Sequence, residues 1–179
     1  MNLNTFINKF EQFTFTGQNI KDILNDEPVK IIDYNELNNY TSLDAAFGDN
    51  RCLILLLTRS SDIKHWVTLL IKNNLIEYYD PYGFPLVFDL KLSTYDNPNV
   101  LPNLIQLKLN QGFTFQQNGV RLQKLVKDMN TCGAHSVCRC LFYTLTNEQY
   151  TNMMISYTKV EPDELVVLML TSYLIKLVE

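Results

Sequence analysis

The segment VKDMNTCGAHSVCRC, residues 126–140, carries three of the four cysteines and one of the two histidines in a chain of 179 residues. By residue type, Cys132, His135, Cys138 and Cys140 could be four zinc ligands, and Cys132 could equally be a nucleophile. Helical geometry separates the two. At about 100° per residue, His135 lies about 60° and Cys138 about 120° to one side of Cys132, with Cys140 about 80° to the other. Cys132 and Cys138 are also about 9 Å apart along the axis, so the four cannot converge within about 2.3 Å of one ion. No metal ligand is assigned, no cofactor is expected, and Cys138 and Cys140 read as small core residues.

Cys132 stands apart because Asn130 and Thr131 suit a helix start, where unpaired N–H groups and the helix dipole favour a thiolate. A nucleophile needs a base, and only His65 and His135 are available. His135 sits one turn into the same helix, a position suited to packing. His65 opens a strand-like run beside Trp66, where a polar side chain can face a cleft. A carboxylate that fixes the second ring nitrogen completes such a pair. Asp80 ends the next run, and antiparallel neighbours joined by a short turn bring those two ends together. Glu77 competes, but side chains alternate and Glu77 faces the other side. Asp80 could also be a plain turn residue before Pro81 and Gly83. For an oxyanion, the N–H of Cys132 and the side chain of Gln123 are the candidate donors, with Gln116 and Gln117 further back.

The elements that must position these groups follow from periodicity. NTFINKFEQF, NIKDILND and SLDAAFG read as short helices in residues 1–50. RCLILLLT, HWVTLLI and LIEYYD read as three strands, the last two joined by a turn at Lys72, Asn73 and Asn74. A helix over NVLPNLIQLKLN and a strand over FTFQQNGVRLQ precede the cysteine helix. NEQYTNMMIS and PDELVVLMLTSYLIKLV close the chain as helices, the second with Pro162 in its first turn. The expectation is an α+β fold with a central mixed or antiparallel sheet flanked by helices. It forms one domain over 1–179: a mainly helical 1–50, a core over 51–145 and C-terminal helices over 146–179.

A hydrophobic content of 46% supports one sizeable core, and no Pro/Gly/Ser-rich linker divides it. A formal charge of −4 argues against nucleic acid as the main partner, though a local basic patch, or DNA as an activator, stays open. The apolar C-terminal run is too short to cross a bilayer, so no membrane role is expected. A reduced, monomeric protein is expected.

With these residues in view, HWVTLLI, IEYYDPYGFP, a following Gln and NTCGAHSVCR together resemble the adenovirus-protease and ubiquitin-like-protease superfamily of cysteine peptidases. The order His, Asp, Gln, Cys matches that group, and the resemblance spans about residues 50–145. With FGDNRCLILLLT included, the chain looks most like the maturation proteases of virophages, Polinton-like elements and giant DNA viruses. The resemblance implies a papain-like core of the adenain type, with Cys132 as nucleophile, His65 as base then acid, Asp80 as orienter and Gln123 as oxyanion donor. It places Trp66 as a wall of the narrow substrate channel and Gly133 in substrate binding. It also implies cleavage of capsid or scaffold precursors after small residues such as Gly, within the virion and the virus factory of the host cytoplasm. Removal of ubiquitin-like modifiers, acyl transfer by the same Cys–His pair, and an inactive or zinc-stabilised capsid-binding protein are the alternatives.

Overall fold

RCLILLLT is apolar without alternation because its strand is buried on both faces at the centre of a sheet. In the computed structural model, which describes residues 2–60 and 63–176, five strands pair in chain order: β1 (Val29–Asp33), β2 (Cys52–Thr58), β3 (Lys64–Lys72), β4 (Leu75–Tyr79) and β5 (Thr114–Gln117). The inner pairs β2–β3 and β3–β4 are antiparallel, and the outer pairs β1–β2 and β4–β5 are parallel, which makes the sheet mixed. The turn between β3 and β4 runs through Asn73 and Asn74 at φ 48° and 61°. Asparagine tolerates that left-handed conformation, and two such residues in succession match the twist of a tight hairpin.

Alternation along the strands divides the core. On one face Cys52, Ile54, Trp66, Leu70 and Tyr79 pack with α1 (Leu3–Glu11), α2 (Gly17–Ile23), α6 (Cys132–Leu141), α7 (Asn147–Ser156), α8 (Pro162–Met169) and α9 (Thr171–Lys176). On the other, Leu53, Leu55, Val67, Leu69 and Tyr78 meet α3 (Leu43–Phe47), α4 (Leu86–Leu92) and α5 (Val100–Leu109). The expected α+β class, a central sheet with helices on both sides, is the observed one.

Four expectations need correction. The first third, expected to be mainly helical, also holds a strand: VKIID forms β1, a five-residue strand whose partner β2 pairs with it from more than twenty residues downstream. A helix, α4, follows Pro85 in a stretch to which periodicity assigned no element. The strand expected over 113–123 stops at Gln117, because the side chain of Asn118 turns onto the backbone of Asp80; Gln123 therefore lies in a loop. The C-terminal helix breaks at Leu170 into α8 and α9, and its last expected residues fall outside the described range. Among the described residues no helix is long and apolar enough to cross a membrane.

Candidate active site

Where β3 begins and β4 ends, the sheet places two polar side chains that the strands alone would leave apart. The register pairs Thr68 with Tyr79, so Asp80 follows opposite Val67, not His65. His65 is two residues along on the same face, the diagonal neighbour, and its Nε2 lies 2.5 Å from Asp80 Oδ1. The expected meeting of the strand ends is right, and its geometry is diagonal, not directly cross-strand. Both groups are buried.

The turn DPYGF holds the Asp80 carboxylate by backbone donors: Tyr82 N–H to Oδ1 at 3.1 Å and Phe84 N–H to Oδ2 at 2.9 Å. Gly83 makes this possible at φ 70°, where an added Cβ would meet the Val120 backbone at 2.7 Å. Asn118 clamps the peptide of Asp80 from both sides, accepting its N–H at 2.8 Å and donating to its carbonyl at 2.6 Å. Tyr82 stacks on the His65 ring with centroids 4.8 Å apart.

With Nε2 turned to Asp80, Nδ1 of His65 is left for Cys132. The thiol at the first residue of α6 lies close to the imidazole and to the backbone N–H groups of Trp66 and Gly133. Burial works against charge on the sulfur, but the imidazole and these donors outweigh it and hold the thiol below its ordinary pKa. Burial likewise opposes charge on His65, yet Asp80 and Cys132 raise it to about 9. Both shifts act in the direction of a thiolate–imidazolium pair. The other cysteines lack this setting. Cys138 and Cys140 are buried on the same helix and pushed upward by burial, as expected of core thiols.

A cleft of about 260 Å³ ends on Cys132, which is partly exposed, and is walled by Phe15, Thr16, Gly17, Leu56 and Trp66. Trp66 is both wall and core: it is buried, and its indole N–H donates to the Phe15 carbonyl at 2.9 Å. Gly133 has a different reason for its small size than a substrate would supply. A Cβ there would lie 2.5 Å from Phe15 Cβ, so the glycine lets the segment leading into α2 close over the helix start.

Gln123 is buried and belongs to the cluster through Tyr82. Its Nε2 donates to the Tyr82 hydroxyl and to the Met129 carbonyl, both at 3.2 Å. Both amide hydrogens are engaged, so to act on an oxyanion Gln123 must release one of these partners. Gln117 instead accepts from the Leu86 N–H, far from this role. Glu77, on the opposite face, binds Arg139 at 3.0 Å and the Asn147 N–H at 2.6 Å, which excludes it as the orienter.

Sequence reasoning missed three supports. Asn118 read only as part of a strand. Asp89 lies with His65 and Asp80, their donor atoms within 4.8 Å of one another, and is held by Arg59 at 2.5 Å and the Tyr78 hydroxyl at 2.7 Å. Burial, reinforced by Asp80, raises the Asp89 carboxyl to about 6. The third is Asp163, and His135, a packing residue as expected, is no base for Cys132. It is buried against Asp163 of α8 at 3.1 Å, and the same carboxylate accepts from the Thr131 hydroxyl. Because Thr131 serves Asp163, its side chain does not cap α6, and the helix-start N–H groups are left without a capping side chain.

No family model matches the chain. The V9 protein of Sputnik virophage, described as uncharacterised, is 29% identical over 170 residues, covering 88% of this chain and 94% of that protein. Among solved structures, an ASFV protease superimposes with a TM-score of 0.48 at 13% identity, over 87% of this chain and 67% of that one. ChlaDub1 of Chlamydia trachomatis gives 0.43 at 14% identity, over 96% and 76%. The SUMO protease Ulp1, with its catalytic cysteine oxidised to a sulfinic acid, gives 0.38 at 13%, over 95% and 77%. The structural neighbours thus include a viral protease and a SUMO protease, and the relative in sequence is a virophage protein.

Proposed function

We propose that this chain is a cysteine endopeptidase that cleaves capsid or scaffold precursor proteins during virion maturation. The observation that carries the reading is His65 held between Asp80, at 2.5 Å, and the Cys132 thiol at the first residue of α6. The cleft that ends on Cys132 gives an extended peptide a route to the sulfur.

In this reading the Cys132 thiolate attacks the scissile carbonyl carbon, and the carbonyl electron pair moves onto oxygen. Helix-start N–H groups and Gln123, having given up one of its partners, stabilise that oxyanion. As the C–N bond breaks, imidazolium His65 gives its proton to the departing amine, leaving an acyl thioester on Cys132. Neutral His65 then takes a proton from water, whose oxygen attacks the thioester; the acid product leaves and the thiolate returns. Asp80 keeps the ring in the orientation that serves both steps. The virophage relative supports a viral setting, and with it action in the virion or the virus factory.

The test is incubation of a capsid precursor with wild type and Cys132→Ala. Discrete cleavage by the wild type alone is expected; equal digestion by both would exclude the reading.

A further inference from the structure

Among the described residues, the lining of the cleft that ends on Cys132 carries one charged side chain, Lys64, and no carboxylate. Its remaining lining is apolar or neutral, with Leu56 and Trp66 on one side and Asn130 among the rest. The position of Lys64 follows from strand alternation. Lys64 and Trp66, two apart at the start of β3, point to the same face of the sheet, whereas His65 between them points to the face of Asp80. Leu56, paired across β2 with Trp66, completes that face of the cleft, and Thr58 lies opposite Lys64. Among the described residues no carboxylate forms a salt bridge with Lys64, which is exposed.

We infer that Lys64 is a specificity-determining residue that selects substrates with an acidic side chain beside the scissile bond. The inference rests on the protease reading above and deepens it by naming a substrate feature. An ammonium at the mouth of a cleft attracts an anionic side chain as the chain enters, and places it next to the residue presented to Cys132. Because Lys64 is exposed, the preference is modest and falls with salt. The preference is confined to this cleft. The adjoining hollow, which shares Gly17, Leu56 and Trp66, carries Lys21 together with Asp33 and Glu36 and has no single sign.

The experiment uses the full chain, as wild type, Lys64→Gln and Lys64→Glu, with two pairs of Cys132-directed probes. The first pair is iodoacetate and iodoacetamide; the second is two peptidyl vinyl sulfones with Gly next to the warhead, preceded by Asp in one and Asn in the other. In wild type the Asp probe is expected to label faster than the Asn probe. The ratio should fall about fivefold in Lys64→Glu, with an intermediate value in Lys64→Gln and convergence of all three at high salt. The iodoacetate to iodoacetamide ratio should fall in parallel. Equal Asp and Asn rates in wild type, or a preference indifferent to residue 64, overturn the inference and leave the protease reading standing. Labelling by iodoacetamide with no labelling by either peptide probe means that the cleft admits no peptide; the protease reading then fails, and the inference with it.

Discussion

His135 and Asp163 form a buried pair, Nε2 to Oδ1 at 3.1 Å, that ties α8 to the helix whose first residue is Cys132. The same carboxylate takes the Thr131 hydroxyl and the Lys124 N–H, the latter at 2.9 Å, so one side chain anchors three separate segments around the nucleophile. Removing one partner strands the others in a dry interior. Asp163→Ala should cost about 3 kcal/mol or more in urea unfolding at pH 7. Burial opposes the charge of Asp163, but His135, Thr131 and the Lys124 N–H overcome it and hold the carboxyl below its ordinary value of 3.8. For a depressed carboxylate the stabilisation is complete above that ordinary value and is lost as pH falls through the folded one. Wild type should therefore lose stability below about pH 4 more steeply than Asp163→Asn, which thermal unfolding across acid pH checks.

Asp80 is predicted to act through His65, so the conservative change Asp80→Asn should leave the fold in place and lower kcat by about a hundred- to ten-thousandfold. Its second effect is on titration. A histidine raised to about 9 stabilises the fold fully below its unfolded pKa near 6.5 and loses that contribution as pH rises through about 9. In Asp80→Asn the midpoint of His65, followed by NMR, should fall, and the alkaline part of the stability profile should flatten.

Asn118 gives a prediction that residue type alone would not suggest. It makes two bonds to the peptide of Asp80 and none to His65 or Cys132. Asn118→Leu leaves the buried Asp80 N–H without a partner and its carbonyl with the Gly83 N–H alone, and should cost about 2 kcal/mol in denaturant unfolding. A fall in kcat with little change in KM would accompany it if the clamp also sets the angle of the Asp80 carboxylate.

Gln123 is held by Tyr82 and Met129, each at 3.2 Å, in the resting state. As an oxyanion donor it should contribute in the transition state alone, so Gln123→Ala should lower kcat by about 10²–10³ with KM little changed. Tyr82→Phe removes only one of the two resting partners of Gln123 and keeps its amide, and should cost far less. Steady-state kinetics on one cleaved peptide separates the two variants.

The central strands were legible because they are long, apolar and separated by clear turn residues, and Asn73 and Asn74 marked the hairpin directly. From them, and from a helix start at Cys132, the meeting of His65 and Asp80 followed. β1 was not legible, since VKIID is short and its stability comes from a partner distant in sequence. The end of β5 was hidden for a related reason: FTFQQNGVRLQ reads as one strand until Asn118 finds the Asp80 backbone, a tertiary contact without a local signature. The role of Asp163 was equally silent, because a carboxylate in the first turn of a helix is ordinarily a surface residue favoured by the helix dipole. Only the packing of α8 on α6 turns it inward.

The central claim is that Cys132 is a thiolate made by His65, and site-resolved alkylation of the four cysteines between about pH 5 and 9 tests it most directly. Wild type should label at Cys132 selectively down to mildly acidic pH, because its pKa is lowered, while Cys138 and Cys140 stay inert, because theirs are raised. In His65→Ala the selectivity should vanish and Cys132 should react only as pH rises toward the range of a buried thiol. Slow labelling of Cys132 that is indifferent to residue 65 would contradict the account.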